Sequence, residues 1–421
     1  MTFLASDAMN GRGSGTRDEW IAAEYLASHL QRWGIEPLGD NGGFVQQVEM
    51  ERIETTAPPR MTIGNRQLTH GREILVQRLG GARVTGPLQK LTPGAQVSPG
   101  AVVLMPETPA ADQSTTGAVA VLSIATAQNR WRPDAGGGRL PSPPARMRGV
   151  TAAVPSRPTT VALDKATYAE IAALAAGTTA TIEADVKTGQ TSKTWNAVGR
   201  IRGSDPASSS EVILLSAHLD HVGNRAARDG AATTDLIYNG ADDDASGSVA
   251  VLELAQALAR GPRPKRTIVF AFFGSEEAGG YGSRFFTDRP VVPLSQIVAN
   301  LQFEMIGRPD AAVPAETLWL TGYERSTLGP ALAKQRARLV QDPHPEQNFF
   351  TRSDNIQFAR RGVVAHTVSS FGLHKEYHQA SDENRYIDFV HMTQSIRSML
   401  EPIVWLANSG FRPEWLPGKK P

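Results

Sequence analysis

Residues Thr267–Glu277 read TIVFAFFGSEE, an apolar run that ends in two glutamates. The apolar side chains are continuous rather than alternating, which is typical of a strand covered on both faces of a sheet. Similar runs occur at Val212–Ser216, Ile297–Phe303, Thr317–Thr321 and Val363–Val368, and helical stretches at Ser246–Arg260, Ser326–Val340 and Asp388–Ala407 separate the runs. Alternating strands and helices predict an α/β fold in which helices sandwich a mixed, largely parallel sheet.

The chain before residue 194 shows two other sequence patterns. Asp18–Trp33 carries apolar residues at a helical period and precedes Gly34, so we expect a helix there. From residue 53 to 193 the chain is rich in Pro, Gly, Thr and Ala, with short β-like runs and one short helical stretch. The sequence therefore predicts three segments, 1–52 as the first part of the main domain, 53–193 as a β-rich insert and 194–421 as the rest of the main domain.

Composition excludes several classes of protein. An apolar fraction of 40% and a charged fraction of 20% over 421 residues are typical of a globular chain. The formal net charge of +1 provides no field that would attract nucleic acid, and no apolar stretch is long enough to span a membrane. Because the chain has no cysteine, a metal site would have to use histidine and carboxylate ligands.

Five short polar segments lie where the carboxyl edge of the sheet is expected. They are Ser216–His221, Gly240–Gly247, Gly274–Gly279, Phe303–Gly307 and Glu376–Asp382. Ligand sites of open α/β sheets form at this edge.

Each segment has an ordinary explanation when it is taken alone. A histidine at a strand end is usually structural, three aspartates before a helix usually cap it, and paired glutamates usually form a solvated turn. Acids directly after buried strands nevertheless point into the protein, where a carboxylate needs a partner. A metal ion satisfies several buried carboxylates at once, so the five segments together predict a metal centre.

The motifs resemble those of the M28 family of metallopeptidases, the aminopeptidase and glutamate-carboxypeptidase group. His218-Leu219-Asp220, Gly240–Gly247, Ser275-Glu276-Glu277 and Tyr377-His378 match in order. The resemblance runs from the first helix and Gly11-Arg12-Gly13 to the end of the chain. It is weaker across the insert, which resembles a reduced protease-associated domain. It implies a zinc exopeptidase fold with two zinc ions per chain.

The resemblance also implies a role for each site residue. Asp243 would bridge the two metals, Glu277 and His378 would complete one zinc site, and His218 and Glu304 would complete the other. Glu276 would be the general base. Asp220 is two residues from His218, on the same side of an extended strand, and would orient its imidazole.

Other residues near the motifs have two possible roles. His221 and His374 either line the cleft or are surface histidines. Asp242 and Asp244 are expected to cap the helix or to support the ligands. Ser353-Asp354 also matches a family motif near the cleft, and we interpret it as structural.

Two positions depart from the family pattern. Glu304 stands where the family often has aspartate. Phe350 stands four residues before Asp354, where some members have a tyrosine that stabilises the oxyanion, and phenylalanine cannot donate a hydrogen bond. Arg352, Tyr323 or zinc alone would then polarise the carbonyl.

The resemblance predicts a metallo-aminopeptidase that cleaves the first bond of peptide substrates with a free amino terminus. Aminopeptidase is favoured over carboxypeptidase because no arginine cluster is available for a C-terminal carboxylate. A one-zinc glutaminyl cyclase and a non-catalytic receptor-like protein are the alternatives, and the complete ligand set with Glu276 argues against both. Relatives with such an insert imply an exported protein whose signal segment is absent from this chain. Side-chain preference, native metal and oligomeric state stay open.

Overall fold

The structure is a computed structural model that describes residues 1–92, 94–109, 113, 115–125, 140–150, 158–224 and 235–421. Two compact units make up the chain. One combines Met1–Glu49 with Lys193–Pro421, and the other is Met50–Ser192.

The regular elements of the described residues are as follows. The helices are α1 (Arg17–Arg32), α2 (Lys165–Ala173), α3 (Gly247–Arg260), α4 (Tyr281–Asp288), α5 (Leu328–Lys334), α6 (Asn355–Ala359) and α7 (Phe389–Asn408). The strands are β1 (Glu36–Pro37), β2 (Val45–Thr55), β3 (Arg60–Ile63), β4 (Arg66–Thr69), β5 (Ile74–Arg78), β6 (Arg83–Lys90), β7 (Val102–Leu104), β8 (Ala120–Ile124), β9 (Arg146–Met147), β10 (Thr159–Leu163), β11 (Thr179–Glu183), β12 (Val186–Ile201), β13 (Val212–His218), β14 (Gly223–Asn224), β15 (Ile237–Tyr238), β16 (Thr267–Phe273), β17 (Ile297–Phe303), β18 (Leu318–Leu320), β19 (Leu339–Gln341) and β20 (Ala365–Ser369).

The larger unit is built on one mixed sheet with the strand order β19-β18-β20-β17-β13-β16-β12-β2, and β1 pairs with β12. The central pairs β13–β16, β13–β17 and β17–β20 are parallel, whereas β12–β16 and β18–β20 are antiparallel. Every residue of β13, β16 and β17 is buried. The continuous apolar runs therefore form central strands, as the sequence predicted.

Successive residues of the central strands enter two different cores, because side chains alternate across a strand. Phe270 of β16 belongs to a core that also contains residues of α1, α3 and α7. Val269 belongs to a second core with Phe286 of α4 and Phe358 of α6. Helices thus cover both faces of the sheet, which confirms the predicted α/β sandwich.

The predicted helix Ser326–Val340 is only half correct. Helix α5 ends at Lys334, and Arg336 adopts a left-handed backbone with φ 71°. Leu339 then pairs in parallel with Leu318, so the last residues of the stretch form strand β19. A buried partner strand decides the conformation here over local helix propensity.

The smaller unit carries its own sheet, in the order β4-β3-β11-β6-β7-β8-β10-β5. Its core includes Val102, Leu122, Val161 and Ile182, each almost fully buried. Asp164 caps the start of helix α2, and its side chain accepts a hydrogen bond from Thr167 N–H at 2.7 Å. The β-rich character predicted for this segment is thus observed.

Among the described residues, no helix is both long and apolar enough to cross a membrane.

Candidate active site

The predicted site residues lie at the carboxyl edge of the main sheet. His218 is the last residue of β13, opposite Phe273 at the end of β16. Glu276 and Glu277 follow β16 by three and four residues, and Glu304 directly follows β17. Parallel pairing therefore brings together side chains that are far apart in sequence.

Asp243 is at the centre of the cluster and is 2% exposed. Its Oδ1 lies 3.1 Å from His218 Nε2, and its Oδ2 lies 3.1 Å from His378 Nε2. His378 Nε2 also lies 3.0 Å from Glu277 Oε1. Each carboxylate oxygen of Asp243 thus faces a different imidazole, an arrangement that suits a carboxylate placed between two metal ions.

His221 is a site residue that sequence reasoning left undecided. It is fully buried, and its Nδ1 lies 2.9 Å from Glu277 Oε1 and 3.8 Å from Asp243 Oδ2. Ligand atoms of His221, Asp243, Glu277 and His378 all lie within 4.8 Å of one another, so this group could hold a metal ion. The spacing His218-Leu-Asp-His221 was the available signal, but spacing does not give the direction of the ring.

Several buried polar atoms at the site have no hydrogen-bond partner among the described residues. They are both ring nitrogens of His221, Oε1 of Glu277 and Oε2 of Glu304. A buried polar group without a partner is costly, and a cation would satisfy these atoms. With two or three histidines and three carboxylates, the donor set fits zinc.

Burial and neighbouring charges set the protonation of the glutamates. Burial raises the pKa of Glu276 well above its ordinary value and raises the pKa of Glu304 to about 7. Burial and the neighbouring Asp243 charge act to raise the pKa of Glu277, but the imidazoles of His221 and His378, 2.9 and 3.0 Å from its Oε1, outweigh them and lower it to about 2. Adjacent glutamates therefore differ, since Glu276 retains affinity for a proton and Glu277 remains an anion.

Asp220 holds the backbone of the glutamate pair. Its carboxylate accepts hydrogen bonds from the N–H groups of Glu276 at 2.9 Å and Glu277 at 3.4 Å. His218 Nδ1 lies 3.2 Å from the carbonyl oxygen of Asp220 and 3.7 Å from the carboxylate. The backbone carbonyl is therefore the nearer acceptor for the His218 ring.

Two aspartates beside Asp243 stabilise the surrounding loops. Asp244 follows it through a cis peptide bond and accepts from the N–H groups of His218 at 3.1 Å and Gly247 at 3.0 Å. Asp242 accepts from Gly307 N–H at 2.7 Å. The second oxygen of Asp242 lies 2.9 Å from His374 Nε2, so His374 links the loop that carries His378 to Asp242.

The cluster forms part of the wall of an open pocket. Its lining combines the acidic and histidine side chains of the cluster with five apolar or aromatic residues, Met305, Trp319, Phe349, Phe371 and Tyr377. Arg352 and Ser353 also face the pocket, whereas Phe350 and Tyr323 are not among its lining residues in the described chain. Phe350 instead packs under the Arg325 guanidinium, 4.6 Å from ring centre to Cζ.

Residues 196–401 match the model of peptidase family M28. The chain is 34% identical over 138 residues to leupeptin-inactivating enzyme 1 of Streptomyces exfoliatus, covering 32% of this chain and 27% of that protein. It is 34% identical over 120 residues to an aminopeptidase of Pseudomonas aeruginosa strain UCBPP-PA14, covering 28% of this chain and 19% of that protein. The chain thus spans about a quarter or less of the length of these relatives.

Solved structures share the fold across almost the whole chain. An aminopeptidase from Aneurinibacillus sp. strain AM-1 superposes with a TM-score of 0.55 at 19% identity, covering 100% of this chain and 94% of that one. A zinc aminopeptidase from Bacillus subtilis gives a TM-score of 0.53 at 17% identity, covering 97% and 95%.

Proposed function

Residues 196–401 belong to peptidase family M28, and from this premise we propose that the chain is a zinc-dependent aminopeptidase acting on peptides with a free amino terminus. The observation that carries the proposal is the arrangement around Asp243. Two imidazoles contact its two oxygens, and Glu276 lines the same pocket without being in that contact set.

Two zinc ions are proposed, with Asp243 between them. His218 and Glu304 would complete one site, and Glu277 and His378 the other. His221 is a further candidate ligand on the Glu277 side, because its Nδ1 lies 2.9 Å from Glu277 Oε1. When bound, the ions would lower the pKa of a water molecule and polarise the carbonyl of the scissile bond.

Glu276 is the proposed general base. Burial raises its pKa, so its carboxylate can take a proton from the attacking water and return it to the nitrogen of the leaving amine. Asp220 fixes its backbone through the N–H bond at 2.9 Å. Glu276 alone thus carries the proton from the water to the amine.

Arg352 and Tyr377 are the proposed donors to the carbonyl oxygen in place of the tyrosine replaced by Phe350. Both line the pocket, and Arg352 Nη2 lies 3.5 Å from Tyr377 Oη. The Arg352 guanidinium also sits over Phe349 at 4.8 Å, which limits its freedom.

The aromatic residues that line the pocket suit a large apolar side chain on the first residue of the substrate. Trp319 directs its indole N–H away to Asp310 Oδ2 at 3.1 Å, so it presents only its ring. Phe349 stacks on Trp319 at 5.4 Å, and Phe371 meets Phe349 edge-on at 5.7 Å. Since the acids that line this pocket belong to the proposed metal cluster and catalytic glutamate, and Arg352 adds positive charge, we expect leucine and phenylalanine to be preferred over lysine.

The test compares wild type with Glu276→Gln at matched zinc content on Leu-, Phe-, Lys- and Glu-initiated peptides, each free and N-acetylated. We expect cleavage of free Leu and Phe substrates by wild type and a loss in kcat of about 10²-fold or more in the variant. Equal zinc content in both proteins assigns that loss to chemistry. Activity within a few-fold of wild type in the variant, or equal cleavage of acetylated substrates, would contradict the proposal.

A further inference from the structure

Glu19 is a fully buried carboxylate behind the proposed base. It lies in the first turn of α1 and accepts four hydrogen bonds. Oε1 accepts from Thr194 Oγ1 at 2.7 Å, Ser275 N–H at 2.7 Å and Ser275 Oγ at 3.0 Å, and Oε2 accepts from Gly15 N–H at 2.9 Å. Two of the four donors belong to Ser275, the residue before Glu276.

A helix cap alone does not account for these contacts. Thr16 and Glu19 have the spacing of a capping box, in which the glutamate would bond the N–H of the cap residue. Thr16 does receive Glu19 N–H at 3.4 Å, but the Glu19 carboxylate reaches past Thr16 to Gly15 and to Ser275. Oε1 of Glu19 therefore accepts hydrogen bonds only from groups outside helix α1.

Ser275 adopts a conformation that needs support. Its φ of 54° is in the left-handed region, which is unfavourable for a residue other than glycine. Its N–H and hydroxyl both bond to Glu19, and the N–H groups of the next two residues bond to Asp220. Three consecutive N–H groups thus rest on two buried carboxylates, and this fixes the direction in which Glu276 leaves the backbone.

The local sequence is adapted to the approach of Glu19. A Cβ on Gly274 would lie 2.8 Å from Glu19 Oε1 and 2.4 Å from Thr194 Oγ1. Ser14, five residues before Glu19, donates its hydroxyl to Asp220, the second carboxylate. The same N-terminal segment therefore contributes to both supports of the glutamate turn.

We propose that Glu19 is a positioning residue for hydrolysis, which holds Ser275 in its left-handed conformation and so aims the Glu276 carboxylate at the attacking water. This inference rests on the proposed function. It requires that loss of Glu19 lowers kcat while zinc binding and KM change little, because displacement of a reacting group by about 1 Å is sufficient for a loss of about 10²-fold.

The experiment uses Glu19→Gln, which keeps the shape but turns one oxygen acceptor into a donor facing another donor. Glu24→Gln makes the same change on an exposed face of α1 and is the matched control. Zinc content, kcat and KM on a Leu-initiated peptide are measured for each. We expect Glu19→Gln to lose about 10- to 100-fold in kcat at normal zinc content, and Glu24→Gln to match wild type.

A double-mutant cycle separates positioning from general damage. If Glu19 acts through Glu276, adding Glu19→Gln to Glu276→Gln lowers kcat by less than about 3-fold, because the group it aims is already gone. An equal loss in both backgrounds, or no loss in Glu19→Gln, would overturn the inference.

Ser275→Ala provides the test if Glu19→Gln does not fold. It removes one donor and leaves the Glu19 carboxylate with three, and the same kcat loss at unchanged KM is expected. A kcat of Ser275→Ala equal to that of wild type would overturn the inference. Absence of hydrolysis by wild type would instead contradict the proposed function, so the two failures are distinguishable.

Discussion

Gly240 makes room for the His221 ring. A Cβ at Gly240 would lie 2.5 Å from His221 Cγ and 2.2 Å from the carbonyl oxygen of Asp243, and its φ of 58° is left-handed. The position of His221 therefore depends on Gly240, a residue of another segment that has no side chain. The motifs predicted His218, Asp243, Glu277, Glu304 and His378 as ligands but left His221 open, because motif spacing does not show which neighbouring residue leaves room for its ring.

Gly240→Ala is expected to lower the free energy of unfolding by about 3–5 kcal/mol and to weaken zinc binding, because backbone strain and overpacking add. Gly42→Ala is the control, since Gly42 has a φ of 76° but nothing within 4 Å of the added Cβ. It should lose about 1–2 kcal/mol and keep its zinc. Denaturant unfolding and zinc titration measure both, and equal losses would contradict the steric argument.

His366 makes stability depend on pH. It is fully buried, its Nδ1 bonds the carbonyl oxygen of Thr321 at 2.7 Å, and its Nε2 bonds Ser326 Oγ at 2.7 Å. Burial lowers the pKa of His366 to about 4, below the value of about 6.5 for an exposed histidine. Between these values only the unfolded chain binds the proton, so stability falls as the pH falls.

For this group we expect a loss of about 3 kcal/mol between pH 7 and pH 4, and the loss levels off below pH 4. His366→Gln lacks the titrating group. The free energy of unfolding of the variant should therefore rise relative to that of wild type as the pH drops. Denaturant unfolding at pH 7, 6 and 5 tests this. A difference between the two proteins that is constant with pH would contradict it.

At the scale of elements, the sequence was most informative where burial was most complete. Strand β17 has the predicted ends, Ile297 and Phe303, because the whole apolar run is buried in a sheet covered by helices. The long strand β12 was not predicted, since its first half is exposed and polar. Its conformation depends on its pairing rather than on its own side chains.

Helix α7 is held by a cap that is separate from the site. Asp388 accepts from the N–H groups of Val390 at 3.0 Å and His391 at 2.9 Å. Asp388→Ala is expected to lower the free energy of unfolding by about 1 kcal/mol with zinc content unchanged. Glu401→Ala, on an exposed face of the same helix, should change stability by less than about 0.5 kcal/mol. Equal effects in denaturant unfolding would show that the cap contributes nothing.

At the scale of the molecule, the larger unit assembles its site from chain segments that lie hundreds of residues apart. Arg12 is 1% exposed and donates to the carbonyl oxygens of Leu219 at 3.0 Å, Asn239 at 2.7 Å and Gly240 at 3.0 Å. Arg12, near the beginning of the chain, therefore binds two site loops through their backbone carbonyl groups. The sequence motifs predicted most of the proposed site residues. The backbone contacts of Arg12, however, have no signature in composition or spacing. The role of the first nineteen residues could therefore be seen only in the structure.

The central claim is that two zinc ions and Glu276 together hydrolyse the first bond of a peptide. Stepwise zinc addition to chelator-stripped protein, with a free and an N-acetylated Leu-initiated peptide and with Glu276→Gln alongside, tests it most directly. We expect activity to rise until about two equivalents of zinc are bound, only on the free amine, with Glu276→Gln binding the same zinc and cleaving at least about 10²-fold more slowly. Saturation of zinc binding without cleavage by wild type would contradict the account, as would full activity in Glu276→Gln.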